Sequence, residues 1–183
     1  MHVLSELKRR NYHYSGSNPR NIPSSNVVEV GDCIVEAQIF NRRSPVAMVA
    51  GIDVALNMIR HAAGYYSSNG VQFNQTYDQL EVDAVQDGDI TYYDGDPESV
   101  LTVIEVRGRY RDFAMLETPI LGVLSRASRI ATNVYEVLQV SNGKTILYFP
   151  ARFDLPETQA LDGYAYWLAV QRYNMEYNKD VTP

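Results

Sequence analysis

An arginine, an aromatic and a carboxylate, Arg152-Phe153-Asp154, follow the run Ile146-Leu147-Tyr148-Phe149-Pro150-Ala151, and Gln159 and Asp162-Gly163-Tyr164-Ala165-Tyr166 come soon after. A hydrophobic run that stops at a guanidinium reads as a buried strand presenting that group from its carboxyl end, where open α/β sheets and α/β barrels bind ligands. A planar cation in that place suggests an anionic substrate. Two uses compete for Arg152: ligand binding, or a salt bridge to Asp154 or Asp162 that ties the strand to the next helix. Asp154 in turn either orients the arginine, binds a hydrated metal, or caps a helix opening near Leu155-Pro156.

A strand over Lys144–Phe149 and a helix over Glu157–Tyr173 must hold these groups, and strand followed by helix suggests the opening unit of a parallel α/β array. Before them, Leu116, Ile120, Val123, Leu124, Ala127, Ile130, Ala131, Val134 and Leu138 recur at steps of three and four. That spacing predicts a long helical region from Tyr110 to about Val140, with Thr118-Pro119 as an internal start signal and Asn142-Gly143 as the stop. Earlier still, Ser44-Pro45 predicts a helix start, with an apolar face from Val46 to Ile59 that ends at Gly64. Residues 11–26 read as an irregular leader or lid, Val27–Phe40 as strand or hairpin, and Tyr65–Gln75 as a polar loop. Leu80–Ala84, Ile90–Tyr93 and Val100–Val106 predict strands around the Asp87-Gly88-Asp89 and Asp94-Gly95-Asp96-Pro97 turns. Those turn carboxylates lack the twelve-residue spacing of a calcium loop. The order predicts an α+β fold: an N-terminal domain over residues 1–109 with the leader 1–26, then a long helix and one β/α unit over residues 110–183.

Composition sets the bounds. With 183 residues and 45% hydrophobic content, the chain can bury a sizeable core as one domain or two small ones. A formal charge of -6 with no dense Lys/Arg stripe argues against nucleic-acid and anionic-membrane partners. The lone cysteine, Cys33, reads as a small core residue. No apolar signal region opens the chain and no run reaches membrane-spanning length, so a cytoplasmic, soluble protein is expected. His13 and His61 have no second ligand at useful spacing, and no metal site is expected on this chain.

Several motifs occur together in one order. The Asp87-Gly88-Asp89 turn with the Val100–Gly108 strand, and Glu117-Thr118-Pro119-Ile120-Leu121-Gly122 running into Ile130-Ala131-Thr132-Asn133, resemble the N-terminal module of type II phosphoribosyltransferases. Pro150-Ala151-Arg152-Phe153-Asp154 with Asp162-Gly163-Tyr164-Ala165 resembles nicotinate phosphoribosyltransferases in particular. The resemblance covers most of Val27–Tyr173. It implies an N-terminal α/β sandwich, then the long helix and the first β/α unit of an incomplete α/β barrel. The implied activity joins nicotinate to 5-phosphoribosyl-1-pyrophosphate, giving nicotinate mononucleotide and pyrophosphate for NAD salvage.

On that resemblance Arg152 and Asp154 are the catalytic candidates, the arginine pairing with either the nicotinate carboxylate or a phosphate. Arg129, Thr132 and Asn133 are substrate-binding candidates, because the family's long helix runs beside the pocket. Tyr12 and Tyr14 are candidates to pack on the pyridine ring. Magnesium is the implied cofactor, with its ligands outside this chain. Leu155-Pro156 stands where the family commonly has a histidine. The chain stops after one barrel repeat without a Gly-rich phosphate cradle. A homo-oligomer or a complementary C-terminal chain is therefore expected as partner. A noncatalytic interaction or regulatory subunit is the competing reading, and quinolinate the competing substrate.

Overall fold

The computed structural model describes residues 30–67, 70–150 and 152–183. Tyr12, Tyr14, the leader 1–26 and Val27–Glu29 lie outside them. In chain order the elements are β1 (Ile34–Phe40), β2 (Val46–Met48), α1 (Ile52–Ala62), β3 (Gly64–Tyr66), β4 (Phe73–Gln75), β5 (Glu81–Ala84), β6 (Ile90–Tyr92), β7 (Thr102–Arg109), α2 (Tyr110–Phe113), α3 (Glu117–Val140) and α4 (Pro156–Tyr177). This is the expected α+β mixture. No described helix is long and apolar enough to cross a membrane. The chain groups into two compact units, each assembled from three segments.

The first unit takes the chain up to Gln38, Leu56–Asp83 and Glu105–Ile120. Its sheet has the order β1-β7-β5. Tyr65–Gln75, expected as a loop, is instead largely the antiparallel hairpin β3–β4, with Gly64 opposite Gln75 and Tyr66 opposite Phe73. The strands are too short for an alternating pattern to register, and Tyr66 packs edge-on against Phe73. Val30–Asp32 forms a 3-10 turn where the strand pattern was expected to continue. Asp112 is buried, and Arg109 donates to it at 3.1 Å, so its charge is paired inside the unit.

The second unit takes Ile39–Ala55, Ala84–Ile104 and Leu121–Pro183. Its two-stranded sheet pairs β2 with β6, Val46 opposite Tyr92 and Met48 opposite Ile90. Val46–Met48 was expected inside a helix. It is a strand because the apolar run Ala47–Ala50 is buried on every side, a case that periodicity alone does not resolve. Helix α1 therefore opens later, at Ile52. Gly51 permits the turn with its φ of 95°, and a β-carbon there would lie 3.0 Å from Val123 Cγ1. Asp87 supplies the cap, accepting from the Ile52 N–H at 2.8 Å.

Helix α3 ends at Val140, with Asn142 and Gly143 following at positive φ, close to the expected stop. Its Ala127, Ala131, Tyr135 and Leu138 share a buried cluster with Ala165, Tyr166, Ala169, Val170 and Tyr173 of α4. The four alanines leave room for close packing of the two helices. Val181 joins the cluster, held by paired hydrogen bonds between its backbone and the Asn174 side chain.

The strand expected at Lys144–Phe149 is absent, and with it the sheet half of the barrel's first unit. Ile146 and Tyr148 pack on the core cluster, while Leu147 and Phe149 are 80% and 82% exposed. A strand needs a neighbour for its backbone groups. Here the Tyr166 hydroxyl donates to the Ile146 carbonyl, and the Tyr166 ring stacks on Tyr148. Aromatic contacts from α4 anchor the segment in place of a pairing strand.

Candidate functional site

Helix α3 carries the site of the second unit, and two of its hydroxyls set the backbone that faces it. Ser128 and Thr132 are four residues apart and lie on one face. Thr132 Oγ1 accepts from the Met48 N–H at 2.9 Å and donates to the Ser128 carbonyl at 2.6 Å. Ser128 Oγ accepts from the Ala50 N–H at 3.0 Å. The backbone following β2 is thereby stitched to the helix, with no sheet partner needed on that side.

Thr132, expected to contact substrate, is fully buried with its hydroxyl committed to this stitch. Thr132→Val keeps the shape but removes the acceptor of a buried N–H, at a cost of about 1–3 kcal/mol. Urea unfolding should show a lower midpoint at unchanged slope, with ligand affinity in the folded protein intact. An unchanged midpoint would refute the structural role.

A cavity of about 320 Å³ opens beside this stitch. Ile39, Phe40, Val49, Val103, Leu121 and Leu124 give it an apolar lining, and Ser125 and Ser128 add hydroxyls. Its cationic part is Arg42, Arg43 and Arg129. Arg42 lies 4.9 Å from the centre of the Phe40 ring, a cation–π contact that consumes none of its N–H donors. Arg43 donates through Nη2 to Asn133 Oδ1 at 2.8 Å and to Glu136 Oε2 at 3.1 Å. Three guanidiniums and one carboxylate leave a local positive excess in a chain whose formal charge is -6. Such a concave, partly apolar wall suits an organic anion, the apolar body on the lining and the charge at the arginines.

Of the sequence candidates, the structure brings Arg129 and, through Arg43, Asn133 to this wall. It does not bring Arg152 there. Arg152 and Asp154 are exposed in the turn before α4. The salt bridges that sequence reading offered Arg152 belong to Arg126. Its Nε and Nη2 donate to the two Asp162 oxygens at 2.7 and 2.6 Å, and Nη2 reaches Asp154 at 3.0 Å. These bonds, Asp162 first and Asp154 next, raise the Arg126 pKa above its ordinary value. Asp162 is buried, so this fork fastens α3 to α4. On the same helix, burial first and the Asp87 carboxylate second push Tyr164 up to about 12.

Arg42, Arg43 and Glu136 escaped the sequence reading. Adjacent arginines before Ser44-Pro45 were the available signal, but nothing local links them to a helix some ninety residues on. Among the described residues no group of three or more His, Cys, Asp or Glu side chains is placed to hold a metal ion. The magnesium implied by the resemblance therefore finds no donor set among them.

The profile of the quinolinate phosphoribosyl transferase N-terminal domain family matches residues 24–128, more than half of the 183-residue chain. No curated protein matches. Among solved structures, the chain is similar to the nicotinate-nucleotide pyrophosphorylase of Francisella tularensis, with 18% identity over 75% of this chain and 42% of that one and a TM-score of 0.56. The nicotinate-nucleotide pyrophosphorylase of Pyrococcus furiosus gives 21% identity, coverage of 74% and 30%, and a TM-score of 0.57. Human nicotinic acid phosphoribosyltransferase gives 18%, coverage of 76% and 31%, and 0.59. At these identities the likeness is one of fold, and the chain spans less than half the length of each structure.

Proposed function

Because the chain belongs to the quinolinate phosphoribosyl transferase N-terminal domain family, we propose that it forms the N-terminal part of a phosphoribosyltransferase of NAD biosynthesis, joining nicotinate to 5-phosphoribosyl-1-pyrophosphate. The observation that carries the reading is the cavity with an apolar lining and three guanidiniums. In the proposed reaction the pyridine nitrogen bonds to the anomeric carbon as its bond to pyrophosphate breaks, through an oxocarbenium-like state. The chain's contribution is to hold the carboxylate and set the ring in line. Magnesium, when bound elsewhere in the enzyme, supplies charge neutralisation of the leaving pyrophosphate.

The phosphate end requires a further polypeptide in this reading, a complementary C-terminal part or a second copy. Two observations support the former: the matched structures are more than twice as long as their shared region, and Leu147, Phe149, Phe153 and Leu155 are each exposed. Arg152, exposed in the turn before α4, is assigned to the phosphates once the further part is present, with Asp154 as its neighbour. Quinolinate is the second reading of the substrate, favoured by the matched family and by a surplus of cations that suits two carboxylates. A noncatalytic docking subunit is the alternative that these exposed apolar side chains also suit.

Mixing the chain with a barrel-forming C-terminal polypeptide of the family should give pyrophosphate release that depends on nicotinate. A mixture that associates yet stays inert with both nicotinate and quinolinate would contradict the enzymatic reading and favour the docking subunit.

A further inference from the structure

We infer that Asn133 and Glu136 are positioning residues: from successive turns of α3 they clamp Arg43 at the cavity wall, so that its remaining donors meet the carboxylate of a pyridine acid. The inference rests on the proposed ligand of this cavity and assigns parts within it. An arginine has five N–H hydrogens. Those on Nη2 go to Asn133 Oδ1 and Glu136 Oε2, at 2.8 and 3.1 Å, while those on Nε and Nη1 have no hydrogen-bond partner among the described residues.

The arrangement divides labour by chemistry. Neither Asn133 nor Glu136 lines the cavity, whereas Arg43 does. A Glu carboxylate facing an anion directly would repel it, but behind the guanidinium it acts as an acceptor that fixes a long side chain. Asn133 adds a second fixed point without charge. Holding the guanidinium in place before binding removes much of the rotamer entropy that an unrestrained arginine would lose when the anion arrives. Asn133, expected from the sequence to touch substrate, thus acts through Arg43.

The test is calorimetric titration of nicotinate into the full chain and four variants: Arg43→Ala, Asn133→Ala, Glu136→Gln and the double Arg43→Ala/Asn133→Ala. Asn133→Ala should weaken binding about three- to tenfold, the size expected when one rotamer-rich side chain must be ordered on binding. Glu136→Gln should bind at least as tightly as the parent, because the amide oxygen still accepts from Nη2 and a negative charge near the ligand is gone. In the Arg43→Ala background, Asn133→Ala should have no further effect, a coupling that a general loss of folding would not produce.

An Asn133→Ala penalty that is absent, or equally large without Arg43, overturns the clamp while leaving the ligand assignment intact. If the parent chain binds neither nicotinate nor quinolinate, the ligand assignment falls and takes the clamp with it. The two failures are distinguishable because the first requires parent binding.

Discussion

Arg126→Ala should destabilise the second unit by about 2–3 kcal/mol, with denaturation moved to clearly lower urea. The reason lies in Asp162, whose carboxylate is only 1% exposed and takes both of its charge-assisted bonds from that guanidinium. Removing one member of a buried pair strands the other and typically costs 3–5 kcal/mol. The arginine side chain is 38% exposed, so water already shares its solvation and the figure falls below that range. Asp154, itself exposed, adds little. Asp162→Asn, which removes the charge but keeps an acceptor, should cost less than Arg126→Ala. Equal stability of parent and Arg126→Ala would show that the fork contributes nothing to joining α3 and α4.

The second large effect falls on binding. Arg43→Ala should weaken nicotinate by about 2 kcal/mol, roughly thirtyfold, the loss expected when a charged hydrogen-bond partner of a carboxylate is truncated. Removing Arg129 as well should bring affinity close to background, and both losses should shrink as salt screens the parent's advantage. Arg43→Lys should not restore binding, because an ammonium cannot satisfy Asn133, Glu136 and a ligand with the same fixed plane. Folding is not expected to suffer, since Arg43 lies at a partly exposed wall. Unaltered affinity in Arg43→Ala at low salt would place the anion elsewhere.

Helix α3 was legible in the sequence because its apolar positions recur with the helical period over six turns and an Asn-Gly pair closes it. Helix α4 was read over Glu157–Tyr173 and runs Pro156–Tyr177, and the turns at Asp87-Gly88-Asp89 and Asp94-Gly95-Asp96-Pro97 announced β5, β6 and β7 through glycine and aspartate chemistry. The run Val46–Ala50 was not, since burial on all sides erases the contrast between strand and helix. The true start of α1 was hidden for another reason: its cap, Asp87, lies 35 residues along the chain.

At Lys144–Phe149 the composition of a buried strand is present, but strand formation depends on a neighbouring strand, and the described chain places none there. The candidate site divides similarly. The long helix was expected to run beside the substrate pocket; Arg129 lines the cavity, whereas Asn133 reaches it only through its hydrogen bond with Arg43. Which arginine faces the cavity is a three-dimensional fact, and Arg126, Arg152 and Arg43 look alike until Asp162 and Glu136 are seen to claim two of them. The family resemblance was carried by motif order, and the domain profile over residues 24–128 bears it out.

Arginine side-chain ¹⁵N NMR during a nicotinate titration tests the central claim most directly. The Nε–H signals of Arg43 and Arg129 should shift together and saturate at one ligand per chain, while that of Arg126, already committed to Asp162, stays in place. Saturable shifts confined to Arg126 or Arg152, or no saturable shift with either nicotinate or quinolinate, would contradict the cavity as the seat of the pyridine acid.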